Sequence, residues 1–174
     1  MVKRLLLRDA ISAWLLFAAC LVGGVVLNAW RAEPLPLLYS SPKERLTRVA
    51  ENLAPENITP LGDEGDVDLD AMRQLWAAHS ALIIDARPEI FYRVGHIPSA
   101  ISLPRDDFEA KYRELASELQ NYRNQPVVVY CSSNECEDSQ MVAEALQRLG
   151  LAHVRLFRGG WSEWESQNLP EETP

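Results

Sequence analysis

The hydrophobic pattern divides the chain into an uncharged first stretch and a longer region in which apolar and polar positions alternate with regular periods. Residues 10–30 carry no charged side chain over 21 positions. A helix of that length matches the hydrocarbon core of a bilayer, which is roughly 30 Å thick, so this stretch predicts a transmembrane helix. Two alternatives stay open, namely a secretory signal that is cleaved and a lipid anchor at Cys20.

Residues 32–57 predict a spacer between this helix and the rest of the chain. Prolines are frequent here, as they are in semi-rigid linkers. One short helix interrupts the spacer, with Ser41 as its N-cap and Glu44 three residues later in a capping box. We expect this helix to pack on the domain that follows. Its apolar stripe consists of Leu46, Val49 and Leu53.

From residue 58 to residue 174, helical and strand periods alternate, which is typical of an α/β domain with a mostly parallel central sheet flanked by helices. In open parallel sheets, ligands bind beyond the carboxyl ends of the strands. Asp85 and Cys131 lie at two such ends, so the candidate chemistry falls there. The predicted strands cover residues 81–85, 100–103, 127–130 and 154–157, and the predicted helices cover residues 69–76, 105–121 and 139–149.

Charge predicts how the two parts are placed about a membrane. Lys3, Arg4 and Arg8 precede the apolar stretch and only Arg31 follows it closely, so the positive-inside rule places the N-terminus in the cytoplasm. We therefore expect a single-pass protein of the inner (plasma) membrane with a periplasmic C-terminal domain. The formal net charge is −8, and since residues 1–31 contribute +3, the remainder carries −11. That charge excludes nucleic acid as a partner.

The candidate chemistry centres on Cys131, which follows an apolar strand and precedes a predicted helix. A strand–loop–helix unit can turn its backbone N–H groups toward a sulfur, and the helix N-terminus adds positive potential, so both favour the thiolate. Such a thiolate attacks sulfur, phosphorus or arsenic centres, and it can carry a sulfur atom as a persulfide. The predicted active-site loop consists of Ser132, Ser133, Asn134, Glu135, Glu137, Asp138 and Ser139.

Three segments resemble the rhodanese family. Residues 82–88 (LIIDARP) and 91–104 (FYRVGHIPSAISLP) are similar to its Asp-x-Arg strand end and GHIP-x-A motif. Residues 157–164 (FRGGWSEW) resemble its closing GG-x-x-x-W turn. The resemblance implies a rhodanese-like sulfurtransferase domain, in which Cys131 takes sulfur from a donor as a persulfide and passes it to a thiol or protein acceptor.

The loop departs from the family pattern in length and charge. Ser139 comes eight positions after Cys131, about two more than in common rhodanese loops, and residues 132–138 contain three carboxylates and no Arg or Lys. Carboxylates raise the pKa of a neighbouring thiol and repel anions. Thiosulfate turnover would therefore need a basic side chain from elsewhere, and the candidates are Arg87, Arg93 and Arg158. Phosphatase and arsenate-reductase chemistry is disfavoured, because those relatives end the loop with an arginine.

Cys136 is the second departure. It is a possible disulfide partner of Cys131, a resolving thiol for a persulfide or sulfenic acid, or a side chain that packs under the loop. Two cysteines without nearby ligand histidines make a poor metal site, so we expect neither metal nor cofactor. Asp85 and Arg87 are interpreted as a pair that orders the loop.

Three functions stay open at this point. The first is a sulfurtransferase tethered to the membrane through residues 10–30 and carrying a persulfide on Cys131. The second is a thiol-disulfide redox protein that uses Cys131 and Cys136. The third is a non-catalytic binding module of the same fold that the spacer presents to a membrane or periplasmic protein partner.

Overall fold

The structure is a computed structural model, and it describes residues 2–31, 35, 39–54 and 65–174. The chain forms two compact units, Met1–Ser40 and Ser41–Pro174. The predicted spacer falls partly outside the described residues. The second unit begins at Ser41 and so includes the short helix that was predicted within the spacer.

The first unit is built on one long helix, α1, which spans Val2–Ala29. Within it, Ile11–Ala29 has a mean hydropathy of 2.1 and is long and apolar enough to cross a membrane. Its large side chains are exposed, as Trp14 shows with 73% of its surface accessible. Near the end of this helix, the Asn28 side-chain amide donates to the Leu35 carbonyl at 2.9 Å and accepts from the Leu35 N–H at 2.8 Å. The predicted apolar helix is thus confirmed, and its insertion in a membrane stays a prediction.

The second unit is an α/β domain with a five-stranded parallel sheet in the order β1-β5-β4-β2-β3, which confirms the predicted fold class. The strands are β1 (Asp66–Val67), β2 (Leu82–Asp85), β3 (Ile101–Ser102), β4 (Pro126–Tyr130) and β5 (His153–Phe157). The helices are α2 (Pro42–Leu53), α3 (Leu69–Ala77), α4 (Glu89–Val94), α5 (Phe108–Gln120), α6 (Asp138–Arg148) and α7 (Gly160–Ser166).

The sheet has an apolar core on each face, because successive side chains of a strand point to opposite sides. Ile84 and Val129 belong to one core, and Ile83 and Val128 belong to the other. Four of the five residues of β4 are buried, as expected for a central strand with helices on both faces. The carboxyl end of β4 is therefore set between two neighbouring strands, and the candidate cysteine follows it directly.

Helix α2 packs into the core of the second unit. Its N-terminus has the predicted capping box, in which the Ser41 hydroxyl accepts from the Glu44 N–H at 3.2 Å and the Glu44 carboxylate accepts from the Ser41 N–H at 2.9 Å. Leu46 and Ala50 are buried in the core, and two further residues of the predicted stripe are partly buried beside them. Packing of this helix on the domain is confirmed.

Candidate active site

Cys131 lies directly beyond β4, at the carboxyl edge of the sheet, and only 2% of its surface is exposed. The N-terminal turn of α7 holds this position through two backbone hydrogen bonds. The Trp161 N–H donates to the Cys131 carbonyl at 2.8 Å, and the Ser162 N–H donates to the Ser132 carbonyl at 2.9 Å. The double-glycine segment that follows β5 thus forms one wall of the cysteine site.

Gly160 makes this close approach feasible. Its φ angle is +62°, in the left-handed region, and a Cβ atom added there would collide with the Cys131 carbonyl oxygen. Glycine is the residue that adopts this backbone conformation without steric cost. Glycine at position 160 therefore allows α7 to begin directly against the cysteine loop.

Cys131 and Cys136 form a disulfide, with their Cα atoms 6.1 Å apart. A turn in the loop brings Cys136 back toward Cys131, and in this turn the Cys136 N–H donates to the Ser133 carbonyl at 3.1 Å. Of the alternatives open for Cys136, the structure contains the disulfide. Because a disulfide sulfur is no nucleophile, any thiolate chemistry of Cys131 requires this bond to be reduced first.

The rest of the predicted loop forms the surface around the disulfide. Its residues range from exposed to buried, and Ser139, in the first turn of α6, is only 6% exposed. The sequence places the start of this helix at residue 139, and the structure places it one residue earlier. Ser132, Asn134, Glu135 and Glu137 are exposed, whereas Ser133, Cys136 and Asp138 are half-buried.

Asp138 is paired with Arg105, whose Nη1 atom lies 2.6 Å from the carboxylate. Burial raises the pKa of the Asp138 carboxyl, although the Arg105 guanidinium acts to lower it. Arg105 also binds Asp106 at 2.8 Å, so its charge is shared between two carboxylates. Arg105 was not among the site residues predicted from the sequence; the one available signal is its position just after β3, at the same carboxyl edge as Cys131.

The three arginines considered from the sequence have other partners. Arg93 contacts Glu89 at 3.4 Å, and Arg158 binds Asp66 at 2.6 Å. Arg87 is buried in an ion pair. The structure therefore offers Arg105, rather than these three, as the basic side chain beside the loop.

Asp85 and Arg87 form a buried, bidentate pair, with an Nη2–Oδ2 distance of 2.6 Å. The same Nη2 atom donates to the Gly95 carbonyl at 2.7 Å, and the Tyr130 hydroxyl donates to Asp85 at 2.7 Å. The guanidinium carbon also lies 4.7 Å from the centre of the Trp161 ring. Arg87 thus contacts the residue whose N–H donates to the Cys131 carbonyl, and the loop-ordering role of Asp85 and Arg87 stays a prediction.

His96 lies in the turn between α4 and β3. Its Nδ1 atom is 2.9 Å from the Tyr92 carbonyl, and its buried ring stacks on the Tyr92 ring at 3.7 Å. These contacts fix the turn and give His96 a structural role.

The two loop sulfurs and the Asp138 carboxylate lie within 4.8 Å of one another. A structural zinc site uses four ligands, and its cysteines bind as thiolates. In the disulfide form, the sulfurs of Cys131 and Cys136 are bonded to each other, so this cluster does not provide such a ligand set.

Comparison with known proteins places this geometry in a family context. The family model described as "Rhodanese-like domain" matches residues 68–167, which is more than half of the chain. The uncharacterized protein YibN of Escherichia coli K12 is 31% identical over 91 residues, which cover 52% of this chain and 59% of YibN. The adenylyltransferase and sulfurtransferase MOCS3 of Caenorhabditis briggsae is 29% identical over 89 residues, covering 51% of this chain and 22% of MOCS3.

A solved structure gives the same result. The NMR structure of the rhodanese-like domain of the Alr3790 protein from Anabaena is 26% identical, with a TM-score of 0.51, and the match covers 67% of this chain and 81% of that domain. The match covers 81% of the Alr3790 domain but only 59% of YibN and 22% of MOCS3. The chain thus spans only part of the length of these two relatives.

Proposed function

The chain belongs to the rhodanese-like domain family, and on this premise we propose that it is a sulfurtransferase that carries sulfur as a persulfide on Cys131. The observation that carries the proposal is the position of Cys131, directly beyond the central strand β4 and in a loop that leads into α6. MOCS3, one of the relatives, is itself named a sulfurtransferase.

The reduced loop has the elements that stabilise a thiolate at Cys131. The hydrogen bond from the Trp161 N–H to the Cys131 carbonyl fixes the start of the loop, and the N-terminus of α6 contributes positive potential. The carboxylates of Glu135, Glu137 and Asp138 oppose this effect, since negative charge disfavours a thiolate. A thiolate at Cys131 therefore depends on the positive potential of the α6 N-terminus and on Arg105, which pairs with Asp138 and so limits the repulsion between this carboxylate and the sulfur.

The charge of the loop favours a particular class of donor. Thiosulfate is a dianion, and the acidic loop repels it, while Arg87 and Arg105 are both already paired with carboxylates. A persulfide on a protein or on a small thiol brings less charge to the sulfur being transferred. We therefore propose a protein or thiol persulfide as the donor, and a thiol or protein as the acceptor.

We further propose that α1 anchors the domain to the inner membrane, with the N-terminus in the cytoplasm and the domain in the periplasm. Two observations support this, namely the apolar segment Ile11–Ala29 and the disulfide, because disulfides persist in oxidising exterior compartments. A membrane-impermeant maleimide applied to intact and to lysed cells, after mild reduction, tests the topology. Labelling of Cys131 and Cys136 only in lysed cells would contradict the periplasmic placement.

Loading of the full-length chain in detergent tests the proposed activity. The chain is reduced with a dithiol, freed of the reductant and incubated with thiosulfate, mercaptopyruvate or a protein persulfide, and its intact mass is measured. We expect a gain of about 32 Da, the mass of one sulfur, in Cys136→Ser and in Cys20→Ser/Cys136→Ser but not in Cys20→Ser/Cys131→Ser. The Cys136→Ser background is used because it prevents the Cys131–Cys136 disulfide from forming again. Absence of the adduct from Cys136→Ser with every donor would rule out the proposal.

A second candidate is a thiol-disulfide redox protein that uses the Cys131–Cys136 pair, and the disulfide itself favours it. Equilibration with glutathione buffers decides this point. An exchanging pair has a reduction potential above about −300 mV, whereas a pair that stays oxidised below that value is a structural disulfide.

A further inference from the structure

The proposed persulfide and the observed disulfide involve the same sulfur atom of Cys131. Resting on the proposed function, we infer that Cys136 is the resolving thiol of this site: it displaces the carried sulfur as hydrogen sulfide and forms the Cys131–Cys136 disulfide. A dithiol reductant must then reset the pair. The chain would therefore have a second activity, the dithiol-dependent release of sulfide, in addition to transfer of sulfur to an acceptor.

The loop geometry places the two cysteines for this reaction. Cys131 is fixed by the Trp161 N–H, which donates to its carbonyl at 2.8 Å, and it cannot move far from the end of β4. Cys136 is held by the turn that its N–H forms with Ser133, and the resulting Cα–Cα distance of 6.1 Å lies in the normal range for a disulfide. The disulfide is therefore accommodated in a domain whose sheet and α6 are fully formed.

A purely stabilising role accounts poorly for this position. The two cysteines are five residues apart, and the entropy that a disulfide removes from the unfolded chain grows with the length of the loop it closes. A loop this short therefore gains less from the cross-link than a longer loop would. The bond also joins two points of one surface loop, so it ties no separate elements of the domain together.

The reaction balances without any further oxidant. The Cys136 thiolate attacks the Cys131 Sγ atom of the persulfide, the new Sγ–Sγ bond forms, and the bond to the outer sulfur breaks. The outer sulfur leaves as HS⁻ and takes up the proton that Cys136 released to solvent. The Cys131 sulfur is already at the disulfide oxidation level in the persulfide, so the Cys136 sulfur is oxidised and the outer sulfur is reduced to sulfide.

The reset has a preferred direction, because the two sulfurs differ in accessibility. Cys131 is 2% exposed, whereas Cys136 is half-buried. Thiol-disulfide exchange requires in-line access of the attacking thiolate to one sulfur. An incoming dithiol therefore attacks Cys136, forms a mixed disulfide with it, and releases Cys131 as the thiolate that accepts the next sulfur. One dithiol is consumed for each sulfide released.

The experiment compares three full-length chains in detergent: Cys20→Ser, Cys20→Ser/Cys136→Ser and Cys20→Ser/Cys131→Ser. The chain has three cysteines, so the Cys20→Ser background leaves only the loop thiols and is itself the matched control. Each chain is reduced, freed of reductant and given one equivalent of a protein persulfide. Intact mass is followed with time, and sulfide is trapped with a bimane reagent.

We expect the Cys136→Ser chain to keep the added sulfur and to release at least tenfold less sulfide than the chain with both loop cysteines. The latter should release about one sulfide per chain and end as the disulfide, about 2 Da lighter than the reduced form. With a small thiol under limiting conditions, the mixed disulfide should map to Cys136. Added dithiol should restore loading for a further cycle.

Two different results would overturn the inference. If both chains load and retain sulfur equally and neither releases sulfide, Cys136 does not resolve the persulfide, while the proposed sulfurtransferase function stands. If neither chain gains sulfur on Cys131, the proposed function fails and the inference fails with it. A mixed disulfide found on Cys131 in place of Cys136 would refute the direction of the reset.

Discussion

Replacement of Arg87 by Met tests whether the buried ion pair maintains the cysteine site. The side chains of Arg87 and Asp85 are 3% and 0% exposed, and methionine removes the charge while keeping a similar length. The Asp85 carboxylate then loses its bidentate partner and keeps the Tyr130 hydroxyl and one backbone N–H. Removing one partner of a buried pair costs about 3–5 kcal/mol, because the other charge stays buried without compensation.

Urea unfolding of the full-length chain in detergent, followed by tryptophan fluorescence, measures this cost, since Trp164 is fully buried in the second unit. For a slope of about 2 kcal/mol per molar urea, a loss of about 4 kcal/mol lowers the midpoint by about 2 M. Arg113→Met is the matched control. Arg113 forms an exposed pair with Glu109, so we expect a change of about 0.5 kcal/mol or less.

The double replacement Asp85→Asn/Arg87→Met separates loss of the ion pair from loss of packing. Asparagine carries no charge, so the double variant should be more stable than Arg87→Met alone. If Arg87→Met lowers the free energy of unfolding by less than about 1 kcal/mol, or by no more than the Arg113→Met control, the buried ion pair does not stabilise the domain as described. The same holds if the double variant loses as much free energy of unfolding as Arg87→Met and the single variant Asp85→Asn lose together.

Three further replacements test the surroundings of the site. Gly160→Ala should lower the free energy of unfolding by about 1–3 kcal/mol and reduce sulfur loading, because residue 160 has a positive φ and the added methyl group would collide with the Cys131 carbonyl. Unchanged loading would contradict a role of the Gly159–Gly160 segment in shaping the cysteine site. Tyr130→Phe should cost about 1–3 kcal/mol in the same urea assay, since buried Asp85 loses a donor. Leu46→Ala should cost about 2–5 kcal/mol if α2 is part of the domain core, and a cost near zero would contradict that packing.

Much of the fold could be predicted from local pattern. β2, β4 and β5 are short apolar runs, and the helices between them have clear stripes, so their order indicates a parallel α/β sheet. The capping box of α2 is a local motif and was predicted to the residue. By contrast, β1 has only two residues and α4 has only six, and neither is long enough to show a period of its own.

The chemistry of the site could be predicted only in part. The position of Cys131 follows from the strand before it, but the state of its sulfur depends on the turn between Ser133 and Cys136, which no hydrophobic period encodes. Likewise, Arg105 and Asp138 are 33 residues apart in the chain and meet because β3 ends and α6 begins at the same edge of the sheet. Pairs of this kind are set by the tertiary fold.

The central claim is that Cys131 carries sulfur, and peptide mapping after loading tests it most directly. The reduced full-length Cys136→Ser chain is incubated with a protein persulfide, alkylated and digested, and the peptide that contains residue 131 is analysed by mass spectrometry. We predict an alkylated persulfide on Cys131, with no added sulfur on Cys20. Alkylation of Cys131 as a plain thiol after every donor would contradict the account.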